Sequence, residues 1–489
     1  MAFSQSQSNY MVNKRISGGS FQCAGRTTVE GENIAGVVAF DYYPKITSRE
    51  EVDGVINFNG ALITNISYVT IDGNVNKTQI SVEFNNSCSA YGLSDAWVMP
   101  EVTNIDVTLV DNSMCVSAQV GVTLYGVISE TITQINEDED VVTNSEQKEI
   151  KSLASAASEE FNIVEEIKVN RVIEEIVSSP VVVTINAVNS LADKVVLEGT
   201  VLYNLMMKSG DEIASEIREV PLRQEVACLG ANENDEAIVM GYVSGVETTI
   251  LPTQDAENET VISVGVTYNA NVYTTKSEMV NIVSDAFSVR EETTPVSEAA
   301  NLDYISAVTQ TSKLVSGEID ITTYPEFDQI VSVNANAVAV ALNEANSIDM
   351  VIETQVVTRD ESGQISVRTE HVPVVFGESH GEVSGISALV SGYHVRQGRD
   401  LEVEYTVSIT TVSENKQVIT FVSNLDQGAG DVSDDAGIKM YYVREGERLF
   451  DVCRELRVRP EVVLSQNEGA ENVSAGDKII VYFPQSVNF

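Results

Sequence analysis

The chain has 489 residues, which at about 150 residues per domain predicts about three domains and excludes a single small module. Its 73 acidic and 29 basic residues give a formal net charge of −44, and such a surface repels phosphate backbones and anionic lipid headgroups. We therefore expect no nucleic acid partner. Charged residues are only 21% and hydrophobic residues 43%, which is typical of a folded protein rather than a disordered polyanion.

The cysteines and the N-terminal residues predict a cellular compartment. The five cysteines are scattered singly, are odd in number and contain no CxxC pair, which favours a reducing compartment over a disulfide framework. The N-terminal stretch has no apolar segment before a cleavage site, and no run of 18 apolar residues occurs. We expect a cytosolic protein without membrane insertion.

Apolar and polar residues alternate through most of the first 420 positions, which is the period of β-strands with one buried face. The clearest strands begin at Met114, Ile262 and Leu401, which lie 148 and 139 residues apart. Prolines at positions 44, 180 and 325 mark apolar runs at similar spacings of 136 and 145. The spacing predicts three copies of one antiparallel β domain of about 130 to 140 residues.

Shifts in composition set the domain boundaries, and the predicted fold class is mainly β. We expect three tandem antiparallel β-sandwich-like domains followed by a small C-terminal α+β module of βααβ order. The polar stretch before the second copy is predicted to be an acidic linker with a short helix around Lys151 to Ala157. The predicted segments are 1–133 (first repeat), 134–160 (acidic linker), 161–282 (second repeat), 283–423 (third repeat), 424–439 (flexible Gly/Asp linker) and 440–489 (C-terminal module).

The tail changes from a period of two to strand, helix, helix, strand. A short strand leads to a turn at Gly446, a first helix carries an inward Cys453, Pro460 can open a second helix, and KIIVYFP closes the module. Residues 440–489 carry eight acids and six bases. A nearly neutral, arginine-bearing head on an acidic body suggests that the two parts meet different partners.

This tail, YYVREGERLFDVCRELRVRPEVVLSQNEGAENVSAGDKIIVYFP, resembles a LysM module. The resemblance implies a shallow groove between two loops that binds N-acetylglucosamine-containing glycans and sometimes a protein. Glu447-Arg448 stand where the family favours Asp-Thr, and Phe450 where it favours Trp; arginine suits a carboxylate-rich protein partner. The alternatives are that Asn467 caps its helix and that Phe450 fills the core. The predicted partner-binding residues are Gly446, Glu447, Arg448, Leu449, Phe450, Asn467, Glu468, Gly469 and Ala470.

The repeats resemble the SPOCS domain of sporulation proteins, most clearly in the second copy. There FNIVEEI (161–167) leads through RVIEEIVSSPVVV into KVVLEGTVLYNL, while the third copy lacks a counterpart of Gly60 and Gly199. Tandem SPOCS-like copies with a LysM-like tail resemble spore-coat morphogenetic proteins. The resemblance implies a non-enzymatic scaffold at the forespore surface in the mother-cell cytoplasm, with a coat morphogenetic ATPase of the SpoIVA type, or another coat protein, as partner.

Two other function classes compete with this one. A LysM protein that binds peptidoglycan in the wall or cortex is the alternative function, and it would need an export route. A hydrolase would need a catalytic constellation, but the sequence holds no GxSxG elbow, P-loop or HExxH motif. We predict no catalytic residues, no cofactor and no metal. Edge strands of such domains can pair between molecules, so self-association stays open.

Several single features have a structural and a functional interpretation. The three histidines are spaced by 9 and 14 residues, which matches no metal motif, and surface positions are favoured for them. The acidic strings Glu137–Asp140 and Asp431–Asp435 lack the spacing of a calcium loop and are read as solvated linkers. Trp97 either packs over the end of the first domain or anchors an interface, and packing is favoured.

Overall fold

The computed structural model describes residues 3–30, 34–72, 74–89, 92–110, 113–210, 212–252, 258–344, 347–362, 364–376, 383–397, 400–428 and 437–483. The protein is mainly β, and its sheets are antiparallel, as the alternating sequence predicts. Leu401, Val403 and Tyr405 of one alternating strand are each at most 1% exposed. The period of two therefore identifies the buried faces correctly.

The first unit (residues 5–135) holds six strands in two three-stranded sheets. One sheet has the order β1-β6-β5 and the other β2-β3-β4, and both contribute to a single hydrophobic cluster. Phe58, Leu62 and Leu124 are essentially fully buried in it. The strands are β1 (Gln5–Glu30), β2 (Ile34–Val52), β3 (Val55–Thr70), β4 (Val75–Ser89), β5 (Leu93–Val110) and β6 (Ser113–Ile135).

The second unit (residues 141–288) repeats this strand order. Its sheets are β7-β13-β12 and a four-stranded sheet in which β8 and β9 both pair with β10 beside β11. Tyr203 and Tyr268 are the largest side chains of its core. The strands are β7 (Val141–Val169), β8 (Glu175–Ser178), β9 (Val181–Leu191), β10 (Lys194–Ser209), β11 (Glu212–Ala227), β12 (Glu236–Leu251) and β13 (Thr260–Ser288).

The third unit (residues 293–427) has the order again, with its outer strands interrupted. Its sheets are β15-β20-β19 and β16-β17-β18, and β14 pairs with β21 as a separate ribbon. Thr354 and Tyr405 share a buried hydrogen bond of 2.7 Å in its core. The strands are β14 (Thr293–Asn301), β15 (Tyr304–Ile319), β16 (Gln329–Leu342), β17 (Ile348–Arg359), β18 (Ile365–Phe376), β19 (Val383–Gln397), β20 (Leu401–Asn415) and β21 (Val418–Gln427).

The predicted acidic linker at 134–160, with a short helix at Lys151 to Ala157, is wrong for most of its length. Residues 141–160 belong to strand β7, which pairs with β13 along its whole length. Their inward residues, such as Val141 and Ile150, are fully buried. The segment is polar in composition because this part of the strand covers only a narrow apolar core and exposes its other face, which is why it resembles a linker. The predicted boundary at 282/283 likewise falls inside β13.

Extended strand ends form a second body beside the paired sheets of the three units. Residues 5–15 pair with 125–135, residues 141–152 with 276–288, and β14 with β21, which gives three two-stranded ribbons. Apolar residues of all three ribbons meet in common clusters that include Ile132, Ile282 and Phe421. The three units are therefore held together along a shared core instead of being strung on flexible linkers.

Buried polar contacts join the units where they meet. The Asp41 carboxylate of the first unit accepts hydrogen bonds from Ser178 Oγ at 2.6 Å and from the Ser179 amide at 2.7 Å, both in the second unit. Its burial raises the pKa of Asp41 above the ordinary value, against the effect of these hydrogen bonds. Asn334 of the third unit donates to the Val38 carbonyl oxygen of the first at 2.9 Å. These contacts fix one arrangement of the three units.

Trp97 lies at one of these junctions. It is 5% exposed, stacks on Tyr125 of its own unit at 4.8 Å between ring centroids, and contacts Tyr273 of the second unit at 5.4 Å. Both sequence interpretations hold in part, because the side chain packs within the protein and the surface it packs on belongs to another unit.

The C-terminal unit (residues 438–482) follows the predicted order of elements. Residues 424–427 of the predicted Gly/Asp linker belong to β21, and residues 429–436, with the string Asp431–Asp435, lie outside the described residues. Pro460 occupies the first turn of its helix, as expected. The elements are β22 (Ile438–Tyr442), α1 (Leu449–Leu456), α2 (Pro460–Gln466), a 3₁₀ turn (Ala470–Asn472) and β23 (Lys478–Tyr482).

Candidate partner-binding surface of the C-terminal unit

The loop between β22 and α1 is fixed by one carboxylate. Gly446 supplies a left-handed turn with φ of 83°. The Glu447 carboxylate then accepts a hydrogen bond from the Tyr441 hydroxyl and one from the Arg444 amide, each at 2.7 Å. Partial burial and the hydrogen bond to Glu447 raise the pKa of the Tyr441 phenol. Glu447 thus shapes the predicted groove from within, and both of its oxygens are engaged.

Arg448 is the exposed charge of this loop. Its amide donates to Asp451 Oδ2 at 2.8 Å, which closes the first turn of α1, while its side chain is exposed. Next to it, Leu449 packs against the core of the C-terminal unit. A free guanidinium at a helix start is available to a carboxylate of a partner.

The second loop of the predicted groove is built around Asn467. Its side-chain amide donates to the Val463 and Ile480 carbonyl oxygens at 3.0 and 2.9 Å and accepts from the Ile480 amide at 2.8 Å. Asn467 therefore ties α2 to β23, in agreement with its helix-capping interpretation. Glu468 and Gly469 are exposed, whereas Ala470 is 4% exposed.

Phe450 does not stand open beside Arg448. Its ring meets Phe287 of the second unit edge-on at 5.2 Å between centroids, and the Arg454 guanidinium lies over it at 5.2 Å. Val142 and Phe287 join the apolar cluster of the C-terminal unit. Phe450 therefore anchors the C-terminal unit on the second unit, a contact that its position in the sequence does not reveal.

Three arginines, Arg454, Arg457 and Arg459, complete this contact. Together with Phe450 they form a surface that we name the docking face. Arg454 pairs with Asp285, and Arg457 lies 3.9 Å from Glu292. Arg459 pairs with Glu137 at 2.7 Å and donates to the Asp138 carbonyl oxygen at 2.5 Å. Three of the arginines of this unit thus meet the acidic body of the same chain, whereas Arg448 stays exposed.

The acidic string Glu137–Asp140 has a structural role in this contact. Besides the bonds to Arg459, Asp140 pairs with Arg290 at 2.6 Å. Within the residues that the structure describes, no group of three His, Cys, Asp or Glu side chains could hold a metal ion. The string therefore binds arginines rather than lying free in solvent.

The sequence reasoning missed an exposed apolar set on the sheet of the C-terminal unit. Strand alternation turns Tyr441 inward, so its neighbours face outward on β22, and β23 adds a tyrosine beside them. We name this set the apolar ladder; it consists of Ile438, Met440, Tyr442 and Tyr482, which are 52% to 64% exposed. The available signal was the alternation within IKMYY. Exposed aromatic and methionine side chains are enriched at protein interfaces.

Cys453 lies in the core of the C-terminal unit, as the sequence predicts. It is fully buried, and burial raises the pKa of its thiol to about 12. All five cysteines are buried and free. Among the described residues, no helix has the length and apolar character needed to cross a bilayer.

Comparison with known proteins identified no relative. No family model, no curated protein and no solved structure matches the chain.

Reversing two charges of the docking face should release the C-terminal unit from the body. In the double variant Arg454→Glu, Arg459→Glu, attraction to Asp285 and Glu137 becomes repulsion, and we expect a larger radius of gyration in small-angle X-ray scattering. The double variant Arg448→Glu, Lys478→Glu changes the net charge equally at exposed positions outside the contact. It should scatter like the unmodified protein. Identical curves for the two variants would contradict the docking.

Proposed function

We propose that this protein is a non-enzymatic scaffold or adaptor in spore coat or envelope assembly. Its three units act as tandem β-sandwich-like domains of the SPOCS type, and its C-terminal unit acts as a LysM-like module that binds a coat morphogenetic protein. A coat ATPase is the proposed partner. The proposed location is the mother-cell cytoplasm at the forespore surface.

One observation carries this proposal. The C-terminal unit uses its docking face to sit on the acidic body, yet Arg448 and the apolar ladder stay exposed. A body that holds its head in one orientation presents the remaining surface of that head to another protein at low entropic cost. An exposed arginine and exposed apolar side chains on one small unit suit an acidic protein surface.

The chemistry of the groove favours protein over glycan. Both Glu447 oxygens and the Asn467 amide are already engaged within the unit. These groups are therefore less available to sugar hydroxyls, and Arg448 replaces a small hydroxyl with a charge. Binding of N-acetylglucosamine glycan by a wall or cortex protein remains the alternative function.

The test compares capture of a purified coat morphogenetic ATPase and of peptidoglycan by the full chain, by a chain truncated before Gly437, and by Arg448→Thr. We expect the ATPase to bind only chains with the C-terminal unit and Arg448→Thr to weaken it about five-fold, as for an interface ion pair worth about 1 kcal/mol. Lys478→Thr, an exposed control in the same unit, should bind normally. Retention on peptidoglycan alone would place the glycan alternative first.

A further inference from the structure

A cavity of about 480 Å³ lies where the three units meet. Strands β2, β5 and β6 of the first unit, β9, β12 and β13 of the second, and β16, β19 and β20 of the third all contribute to its wall. A volume of this size is in the range of sites for small organic molecules. The cavity exists only in the assembled chain, because no unit encloses it alone.

The charged residues of the cavity wall all come from the first unit: Arg15, Asp41 and Glu101. Arg15 Nη1 donates to the Ser384 carbonyl oxygen at 2.6 Å, and Asp41 accepts from Ser178 and Ser179. The half-buried Glu101 differs from both. Within the described ranges, no side chain forms a hydrogen bond or ion pair with its carboxylate, and desolvation alone shifts its pKa. A carboxylate removed from water without a partner is costly, so its presence calls for a ligand.

Aromatic side chains line the same cavity as this carboxylate. Tyr42, Tyr125, Tyr242 and Tyr393 line it together with Phe40. Burial raises the pKa of Tyr42, Tyr125 and Tyr242 to about 12, so these phenols stay neutral near pH 7. Faces of neutral aromatic rings attract organic cations, most strongly where water is excluded.

We propose that this cavity binds a small organic cation, a primary amine or guanidine on an apolar body, with Glu101 as its counter-ion. A divalent metal does not fit, because Ca²⁺ takes six or more oxygen ligands and the described residues offer no group of three acidic or other ligating side chains. An anion would meet an uncompensated carboxylate. The cation also removes the cost of leaving Glu101 unpaired.

Binding should strengthen as the pH rises, because only ionised Glu101 attracts the cation. Desolvation raises the pKa of Glu101 to about 7, so most of the gain is expected between pH 6 and pH 8. Several other titratable groups face the cavity or lie near Tyr125; they are Arg15, Asp41, Tyr42, Tyr43, Tyr125, Tyr242, Tyr268, Tyr393 and Glu414. Burial raises the pKa of these phenols, so they stay neutral in this range, and Asp41 lies in its own hydrogen-bonded site.

The experiment is isothermal titration of the full chain with tyramine and agmatine at pH 6 and pH 8. We expect binding that is tighter at pH 8, no binding of 4-hydroxyphenylacetate, and at least ten-fold weaker tyramine binding by Glu101→Gln. Glu83→Gln, an exposed glutamate of the same unit, serves as the matched control. Gly392 lines the cavity, so Gly392→Val adds side-chain atoms to the cavity wall and should also weaken binding. The new Cβ lies 3.9 Å or more from its nearest neighbours, so it fits without a clash.

Three results would overturn the proposal. The first is the absence of amine binding at millimolar concentration in a folded chain, and the second is equal affinity in Glu101→Gln. The third is preferential binding of the anionic analogue. None of these results bears on capture of a coat protein, which depends on the C-terminal unit.

Discussion

Replacing Gly199 with alanine is expected to lower the free energy of unfolding by about 3 kcal/mol. Gly199 lies on β10 opposite a register shift in β9, where the two backbones approach closely. A Cβ there would overlap the Thr184 carbonyl oxygen and lie 3.0 Å from Ile185 Cα. Every neighbour in this contact is backbone, so no side-chain rotation can relieve it.

Gly265→Ala is the matched control for this substitution. Gly265 also lies in a strand of the second unit, but its new Cβ would meet only the Glu247 carbonyl oxygen at 3.9 Å. Alanine reduces the conformational freedom of the unfolded chain, so this variant should be neutral or stabilised by up to about 1 kcal/mol. Urea unfolding followed by circular dichroism measures both, and equal midpoints for the two variants would contradict the close approach.

The strand pattern of the units could be predicted from the sequence because apolar and polar residues alternate along each strand that has one buried face. Strands β6, β13 and β20 begin within two residues of Met114, Ile262 and Leu401, and these residues are buried. The two glycines without a counterpart in the third repeat, Gly60 and Gly199, also have a local cause. A Cβ on Gly60 would overlap the Phe84 ring, as one on Gly199 would overlap a backbone oxygen.

The packing between units could not be predicted in the same way. Residues 141–160 form part of a strand at the edge of a narrow shared core and bury only a few side chains, such as Ile150. The rest of the segment is polar, so its composition resembles that of a linker. Composition reports how much apolar surface a segment holds, whereas pairing with β13 depends on a partner more than a hundred residues away. The predicted helix failed for this reason.

The sequence predicts the two loops of the candidate site but not their contacts with the rest of the protein. The sequence places Glu447, Arg448 and Asn467 in the two loops. Their hydrogen-bond partners depend on the fold, and these partners decide which of the three side chains is available to a binding partner. The contacts of Phe450 and of the arginines could not be predicted because their partners, such as Phe287 and Asp285, are far away in the chain. Glu101 drew no notice among 73 acids because only its position in the cavity distinguishes it.

Glu101→Gln should stabilise the ligand-free protein at pH 8 and have little effect at pH 5. Desolvation raises the pKa of Glu101 from 4.5 to about 7 in the folded chain. Between these values the folded state binds a proton that the unfolded state does not, so stability falls as the pH rises through this window and the loss is complete above pH 7. The shift corresponds to at most about 3 kcal/mol, which glutamine avoids because it carries no charge.

Urea midpoints of the unmodified chain, Glu101→Gln and Glu83→Gln at pH 5 and pH 8 provide the measurement. Glu101→Gln should gain stability over the unmodified chain chiefly at pH 8, and the exposed control Glu83→Gln should show no such difference between the two pH values. Tyramine at pH 8 should raise the midpoint of the unmodified chain and not that of Glu101→Gln, because a ligand stabilises only the state that binds it. A gain in Glu101→Gln of the same size at both pH values would mean that the carboxylate is not desolvated. The carboxylate would then carry no desolvation penalty for a bound cation to offset.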